Sequence, residues 1–155
     1  YNTCAKMNPP LREAGDVEAI KKGLAEGVLD VIATDHAPHT LSEKNVVFEK
    51  APFGIVGLES AVPLTLRLIR EGILSWPDAV RKLSYAPASL LGIPGGALKE
   101  GAVVDLAVLD PGYSYVLKAG DMKSKSKNSP FIGWSMQGIA VMTMVGGRIV
   151  WERNL

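Results

Sequence analysis

The sequence lacks several features that would identify a class of protein directly: paired cysteines, long apolar runs and a leader segment. It contains one cysteine, Cys4, so no internal disulfide can form, and a lone thiol fits a reducing, cytoplasmic compartment. No stretch reaches ~18 uninterrupted apolar residues, which predicts no membrane-spanning helix. The first residues, from Tyr1 on, carry neither the basic and apolar regions of a secretory leader nor an initiator Met. We therefore expect the chain to be a portion of a longer protein.

The sequence also lacks an excess of charge of either sign. Seventeen Lys and Arg against sixteen Asp and Glu give a net charge of +1, which predicts neither a nucleic-acid partner nor an acidic tail. The single basic run, Lys123, Lys125 and Lys127, has no interleaved aromatic residues and is typical of a solvated loop. Hydrophobic residues make up 47% of the chain, which is enough to build a core.

The first part of the chain has the pattern of an α/β fold. Asp16 can cap a helix that presents Val17, Ile20 and Leu24 on one face and stops before Gly27. The apolar, β-branched run 28–33 then predicts a buried parallel strand. Further helices are predicted around 58–72, after a Ser75 cap, and at 88–91 before Gly92.

After Pro94-Gly95-Gly96 the pattern changes to short strand-like runs. They cover 103–109, 114–117, 139–145 and 148–152, and Gly146-Gly147 is typical of a hairpin turn. We therefore predict a boundary near residue 95, with an α/β unit at 1–94 and a small antiparallel, β-sandwich-like domain at 95–155.

Titratable side chains cluster directly after the predicted strand, at Asp35, His36 and His39. In βα architectures functional groups gather at the carboxyl ends of strands, and a carboxylate there can bind a metal ion and exchange protons with water. A turn-capping Asp with locally bonded histidines is about equally supported by the pattern alone. Three adjacent ligands on one turn rarely enclose an ion, so further ligands must come from elsewhere.

Two other segments could bind a ligand. Asn8 precedes the rigid Pro9-Pro10, and a fixed backbone suits an amide that both donates and accepts hydrogen bonds. The long loop 40–56 ends in Pro52-Phe53-Gly54, which could offer backbone groups to a flat polar ligand. Ordinary turns are the alternative interpretation of both segments.

Four motifs, in order and spacing, resemble the bacterial dihydroorotases. They are Lys6-Met7-Asn8-Pro9-Pro10-Leu11-Arg12, Thr34-Asp35-His36-Ala37-Pro38-His39, Ala51-Pro52-Phe53-Gly54-Ile55-Val56-Gly57-Leu58-Glu59 and Ser124-Lys125-Ser126-Lys127-Asn128-Ser129-Pro130-Phe131. The resemblance covers essentially the whole chain. It departs from the family at Ala86, where Asn usually precedes Pro-Ala, and at Val104, where Ala usually precedes Asp-Leu; both positions lie away from the motifs.

The resemblance implies the C-terminal part of an amidohydrolase (β/α)8 TIM barrel, its last two βα units, followed by a small antiparallel β-domain. It implies zinc-dependent, reversible hydrolysis of the cyclic amide of L-dihydroorotate to N-carbamoyl-L-aspartate in pyrimidine synthesis. Asp35 matches the catalytic, zinc-ligating carboxylate. Asn8, His39 and the backbone of Phe53 and Gly54 match substrate contacts, and His36 is expected to be structural.

The same resemblance implies that one or two Zn²⁺ ions take most of their ligands from an N-terminal part that this chain lacks. The chain alone is then expected to be inactive, to associate with that part, and to belong to a homo-oligomer. Two alternatives stay open: a dihydropyrimidinase- or allantoinase-like cyclic amide hydrolase, and a non-catalytic homologue that serves as a partner of aspartate carbamoyltransferase.

Overall fold

A computed structural model describes residues 1–153, so the last two residues of the predicted second domain lie outside the description. The chain mixes helices with one sheet. The helices are α1 (Ala14–Ala25), α2 (Leu41–Lys44), α3 (Leu58–Arg70), α4 (Trp76–Val80) and α5 (Ala86–Leu91), and the strands are β1 (Leu106–Val116), β2 (Ser135–Val145) and β3 (Arg148–Glu152). Short 3₁₀ turns lie at Thr3–Ala5 and Ala119–Asp121, and a π-helical turn at Arg81–Tyr85 joins α4 to α5.

Helix α1 begins earlier than predicted. Glu13 occupies the N-cap, and Asp16 lies in the first turn, where it forms an ion pair with Arg12 at 3.0 Å. The prediction that Asp16 caps the helix is therefore wrong, although an acid in the first turn still interacts favourably with the free N–H groups. The predicted end is confirmed: Gly27 follows the helix with φ 74°, a left-handed conformation that glycine adopts without strain.

Residues 28–33 do not form the predicted buried strand. Their backbone makes no ladder within residues 1–153, and Val28 is 71% exposed. The segment that follows forms one isolated parallel bridge, His36 with Ile55. A parallel strand needs a neighbour along its length, whereas here the Ile32 N–H bonds to the Lys82 carbonyl at 3.0 Å, which lies in a helical turn and not in a strand.

Helices α3 to α5 follow the prediction closely. Helix α3 carries Pro63 inside it and buries one face. Ser75 caps α4, its hydroxyl accepting the Asp78 N–H at 3.2 Å, and Gly92 ends α5 with φ 64°. The predicted separate helices after Ser75 form one continuous helical segment, because the π-helical turn carries the backbone from α4 into α5.

The sheet is antiparallel with strand order β1-β2-β3, as predicted for the second part of the chain. The two runs predicted at 103–109 and 114–117 merge into the single strand β1, whose pairing with β2 shifts register between Asp110 and Ser114. Among the residues described there is one three-stranded sheet, so the second sheet of a sandwich is not formed by them.

One hydrophobic cluster crosses the predicted boundary at residue 95. Val56, from the first part of the chain, packs with Leu117, Met122 and Met136 from the second. Helix α3 lies against β2, where a methyl group on Gly138 would collide with Leu66. The two predicted units therefore share a core. None of the helices in residues 1–153 is long and apolar enough to cross a membrane.

Candidate active site

The segment Thr34–His39 turns sharply at Asp35. This residue has φ 43°, the one positive φ outside glycine in residues 1–153, and it is exposed. Asp tolerates the left-handed region better than most residues because its short side chain bonds locally. Such outliers concentrate at functional sites. The predicted catalytic carboxylate thus lies on a turn with left-handed backbone conformation and is exposed to solvent.

His36, next to it, is fully engaged by the protein. Its Nδ1 accepts the backbone N–H groups of Gly57 at 3.1 Å and Leu58 at 3.4 Å. Since Nδ1 accepts, Nε2 carries the proton and donates to Ser124 Oγ at 3.2 Å. Neither ring nitrogen is left for a metal ion. These contacts agree with the expectation that His36 supports the structure, a role that stays a prediction.

The loop that carries Phe53 and Gly54 lies directly against Thr34–His39. The Ala37 N–H bonds to the Ile55 carbonyl at 2.8 Å. A Cβ on Gly54, whose φ is 126°, would lie 2.5 Å from the Ala37 Cβ, and one on Gly57 would lie 2.7 Å from the Thr34 carbonyl oxygen. The two glycines are therefore required by close backbone approach, which brings the two loops together.

His39 bridges the same two loops. Its Nε2 lies 2.9 Å from the Phe53 carbonyl oxygen, to which it donates, and its Nδ1 is 3.7 Å from the Glu43 carboxylate. The Thr40 N–H and then its hydroxyl stabilise that carboxylate and lower the pKa of Glu43. A ligand that binds His39 in this arrangement must use Nδ1 or displace the Phe53 carbonyl.

Asn128 joins both loops from the other side. It is 3% exposed. Its side-chain N–H groups donate to the carbonyls of Ala37 at 3.0 Å and Gly54 at 3.1 Å, and its Oδ1 accepts the His39 N–H at 3.1 Å. The sequence interpretation gave Asn128 no role, although it lies in the fourth motif, and nothing in the local pattern indicates that its amide is buried.

Two lysines, which sequence reasoning also missed, attach the N-terminal segment to the site. Lys44 is 1% exposed, and its ammonium donates to the carbonyls of Thr3 at 3.1 Å and Pro52 at 2.7 Å. Burial lowers the pKa of Lys44. Lys6 donates to the Phe48 carbonyl at 2.7 Å, while its own carbonyl accepts the Gly54 N–H at 3.0 Å. A lysine in a polar loop normally indicates solvent exposure, so neither contact was predictable from pattern.

The structure brings His39, Phe53 and Gly54 into direct contact. Asn8 is exposed and is linked to Gly54 only through the backbone of Lys6, two residues before it. His39 lines a cavity of about 330 Å³ together with Cys4, Thr40, Leu41, Lys44 and residues 125–128. The other four predicted site residues, Asn8, Asp35, Phe53 and Gly54, do not line this cavity. They lie on loop segments that are joined to one another by backbone hydrogen bonds.

The residues that the structure describes do not form a complete metal centre. No group of three or more His, Cys, Asp or Glu side chains within residues 1–153 is arranged to hold an ion. His36 and His39 Nε2 are committed to protein groups, and Asp35 remains as a single accessible oxygen ligand. A zinc ion therefore does not fit these residues alone.

The sequence is similar to that of the amidohydrolase family and of curated dihydroorotases. The profile of the amidohydrolase family matches residues 3–150. Curated proteins named dihydroorotase from Geobacter metallireducens and Endomicrobium trichonymphae are 52% and 53% identical over 153 and 154 residues, or 99% and 98% of this chain. The chain spans 36% of the length of each.

Solved structures show the same fold. The L-hydantoinase (dihydropyrimidinase) from Arthrobacter aurescens matches with a TM-score of 0.89 and 32% identity over 97% of this chain and 35% of its own. The dihydropyrimidinase from Brevibacillus agri, with a TM-score of 0.88 and 23% identity over 97% of this chain and 34% of its own, supports the fold alone. Because the family profile covers nearly the whole sequence, the chain belongs to the amidohydrolase family.

Proposed function

We propose that this chain is the C-terminal portion of a dihydroorotase, a cytoplasmic enzyme that hydrolyses the cyclic amide of L-dihydroorotate reversibly to N-carbamoyl-L-aspartate. In this proposal residues 1–94 supply the last two βα units of a TIM barrel and 95–155 a small β-domain. An identity of 52% to curated dihydroorotases over 99% of the chain supports the activity. The part of the relatives that this chain does not span, about two thirds of their length, would supply the rest of the barrel.

The convergence of three motif segments carries the proposal. The Gly54 N–H bonds to the Lys6 carbonyl, the Ala37 N–H bonds to the Ile55 carbonyl, and His39 bonds to the Phe53 carbonyl. The segments that hold Asn8, Asp35 and Phe53-Gly54 are thus joined by hydrogen bonds, although they are separated in sequence by up to 46 residues. In βα barrels the active site is built from loops that converge at one face, and contacting loops of this kind support such a site.

Each proposed site residue has a role that its position permits. Asp35, exposed on its turn, would accept a proton from the attacking water and return it to the ring nitrogen as the amide C–N bond breaks. Asn8 would both donate to and accept from the substrate, and the half-exposed Phe53 with Gly54 would present backbone groups to its ring. His39 would contact the substrate through Nδ1.

In the proposed enzyme, the zinc site takes most of its ligands from outside this chain. When bound, zinc polarises the amide carbonyl and lowers the pKa of water. Asp35 would supply one ligand to a site of one or two ions. We expect the isolated chain to bind zinc weakly and to show no turnover. A calorimetric zinc titration and a dihydroorotate assay of the isolated chain test this, and turnover by that chain would refute it.

The partners follow from the same proposal. The nearest is the N-terminal part of the same enzyme, and assembly into a homo-oligomer, with aspartate carbamoyltransferase as a further partner, remains a prediction. A non-catalytic role beside that enzyme is less well supported, because Asp35, Asn8 and His39 are all present. A gene that encodes no paired metal-binding histidines upstream of this segment would favour the non-catalytic role.

A second candidate is a hydrolase of related cyclic amides, which the likeness to the L-hydantoinase of Arthrobacter aurescens favours. The experiment that separates the two compares turnover of L-dihydroorotate, dihydrouracil, hydantoin and allantoin by the full-length protein that contains this chain. We expect kcat/KM for dihydroorotate to exceed the others by at least a hundredfold. Preferred turnover of hydantoin or dihydrouracil would establish the second candidate.

A further inference from the structure

We propose that Asn128 is a positioning residue that sets the spacing between the two substrate-binding loops, and that it acts through His39 and Gly54 without touching substrate. The inference rests on the proposed function for its catalytic readout. Its geometric content is that one amide holds residues 37–39 and residue 54 at a set distance, in addition to the direct Ala37 N–H bond to the Ile55 carbonyl, and this rests on the hydrogen bonds alone.

The contacts of Asn128 use its whole side chain. Both N–H groups donate, one to the Ala37 carbonyl at 3.0 Å and one to the Gly54 carbonyl at 3.1 Å. The oxygen accepts the His39 N–H at 3.1 Å, and the backbone carbonyl accepts the Val56 N–H at 3.0 Å. One residue therefore satisfies four backbone groups that belong to two different loops.

Only a carboxamide meets this demand at this position. Two carbonyl oxygens and one N–H converge on one side chain, so it must provide two donors and one acceptor in a plane. An ionised Asp offers no donor and would face two carbonyl oxygens. Leu would leave all three groups without a partner in a buried site, which is unfavourable because each group would keep its desolvation cost with no hydrogen bond in return. The amide therefore selects one separation of the loops.

That separation determines where the binding groups lie. The carbonyl that Asn128 holds belongs to Gly54, and the N–H it accepts belongs to His39, the two residues proposed to contact substrate. The His39 ring in turn reaches the Phe53 carbonyl, so a shift of either loop moves both contacts. A displacement of about 1 Å can cost on the order of a hundredfold in rate. Asn128 is 3% exposed, and its side-chain N–H groups and oxygen are all bonded to the protein backbone.

The test uses the full-length protein with Asn128→Asp and Asn128→Ser, and Ser129→Ala as the matched control. Ser129 is the neighbouring buried residue at 5% exposure, and its hydroxyl accepts only the local Phe131 N–H at 3.2 Å. We expect N128D to lower kcat/KM for dihydroorotate ten- to a hundredfold, mostly through a higher KM. N128S, which retains one donor, should lose less, and S129A should change kcat/KM by less than twofold.

The pH profile separates positioning from general destabilisation. The carboxyl group introduced in N128D can donate to one of the two carbonyls once it is protonated. The loss of kcat/KM in N128D relative to wild type should therefore become smaller as the pH falls. The assays are run at temperatures well below the midpoint of unfolding. A deficit that is independent of pH, or an equal loss in S129A, would overturn the proposal. So would N128D with kcat and KM within twofold of wild type.

A structural measurement keeps this inference distinct from the proposed function. If the wild-type protein hydrolyses no dihydroorotate, the proposed function fails, and the spacing is then read from the crystal structures of wild type and N128D, or N128S should N128D not fold. We expect a longer distance between the Ala37 and Gly54 carbonyl oxygens and loss of the His39–Phe53 bond in the variant. An unchanged loop pair would overturn the inference.

Discussion

The sheet β1–β3 and the loops of the candidate site are held in place by different kinds of interaction. In the sheet, backbone N–H and C=O groups pair along three strands, and apolar residues such as Met136 pack beneath them. In the loops 34–39 and 52–57 the backbone is irregular, and its polar groups are satisfied by the side chains of Asn128, Lys44 and His36. Substitutions should therefore affect stability in the sheet and function in the loops.

The largest expected effect is the loss of activity on substitution of Asp35, which should leave the stability of the fold unchanged. We expect Asp35→Asn in the full-length protein to reduce kcat by about a thousandfold, because an amide cannot accept the proton of the attacking water. The residue is exposed, so the melting temperature measured with metal removed should stay within a degree or two of wild type. Activity within tenfold of wild type would show that Asp35 is not the catalytic carboxylate.

The next effect is on the sheet. Gly138 has φ 94°, and a Cβ there would collide with Leu66, which is 4% exposed and cannot move aside easily. We expect Gly138→Ala to lower the free energy of unfolding by about 2–4 kcal/mol, from steric overlap together with backbone strain. Urea unfolding of the full-length protein measures this.

Gly147→Ala is the control for that experiment, since Gly147 has φ 75° but open space around its Cβ position. Backbone strain alone should cost it about 1 kcal/mol. Equal losses in the two variants would mean that the packing of α3 on β2 contributes little. A change in KM for G138A would argue against the separation of the two regions.

A smaller effect is expected from the same type of substitution in the loops. A Cβ on Gly57 would lie 2.7 Å from the Thr34 carbonyl oxygen, so Gly57→Ala should push the Asp35 turn away from its neighbour. We expect kcat/KM to fall about tenfold or more. Gly15→Ala, with nothing near its Cβ in α1, serves as the control and should leave kcat/KM unchanged. Equal activity of G57A and G15A would contradict the requirement for close backbone approach.

The smallest effect concerns Glu43, which completes the capping box of α2 with Thr40. Its pKa is below the ordinary 4.5 because the N–H and hydroxyl of Thr40 favour the carboxylate. The carboxylate therefore contributes stability above the unfolded-state pKa, and this contribution is lost as pH falls through the lower folded-state pKa. We expect the small difference in melting temperature between wild type and Glu43→Gln to vanish once the pH falls below the folded-state pKa of Glu43. A difference that grows at low pH would contradict this.

Much of the fold could be predicted because local signals determine it. Gly27, Ser75 and Gly92 end or begin helices through backbone conformation and capping, which depend on adjacent residues only. The strand at 28–33 could not form from its own apolar pattern, since its stability depends on pairing partners. The merger of two runs into β1 depends on a register shift opposite β2, which lies outside local sequence.

Residue type and position in the sequence were enough to single out the candidate site residues, but their specific roles came only from the resemblance to a known family. That resemblance assigned roles to Asp35, Asn8, His39, Phe53 and Gly54, and these roles remain predictions. The contacts of Asn128 with Ala37, His39 and Gly54 span 74 to 91 residues, and no periodicity or capping rule connects such positions. Buried polar side chains that satisfy distant backbone groups are specific to the tertiary structure, so the sequence pattern could not reveal them.

The central claim is that the carboxylate of Asp35, the amide of Asn8 and the imidazole of His39 act on one molecule of dihydroorotate. A crystal structure of the full-length protein with that compound bound tests this most directly. We predict that Asn8 and His39 lie within hydrogen-bond distance of the ligand, ~2.7–3.2 Å, with Asp35 facing its ring amide. A ligand bound elsewhere, or these three side chains directed at separate surfaces, would contradict the claim.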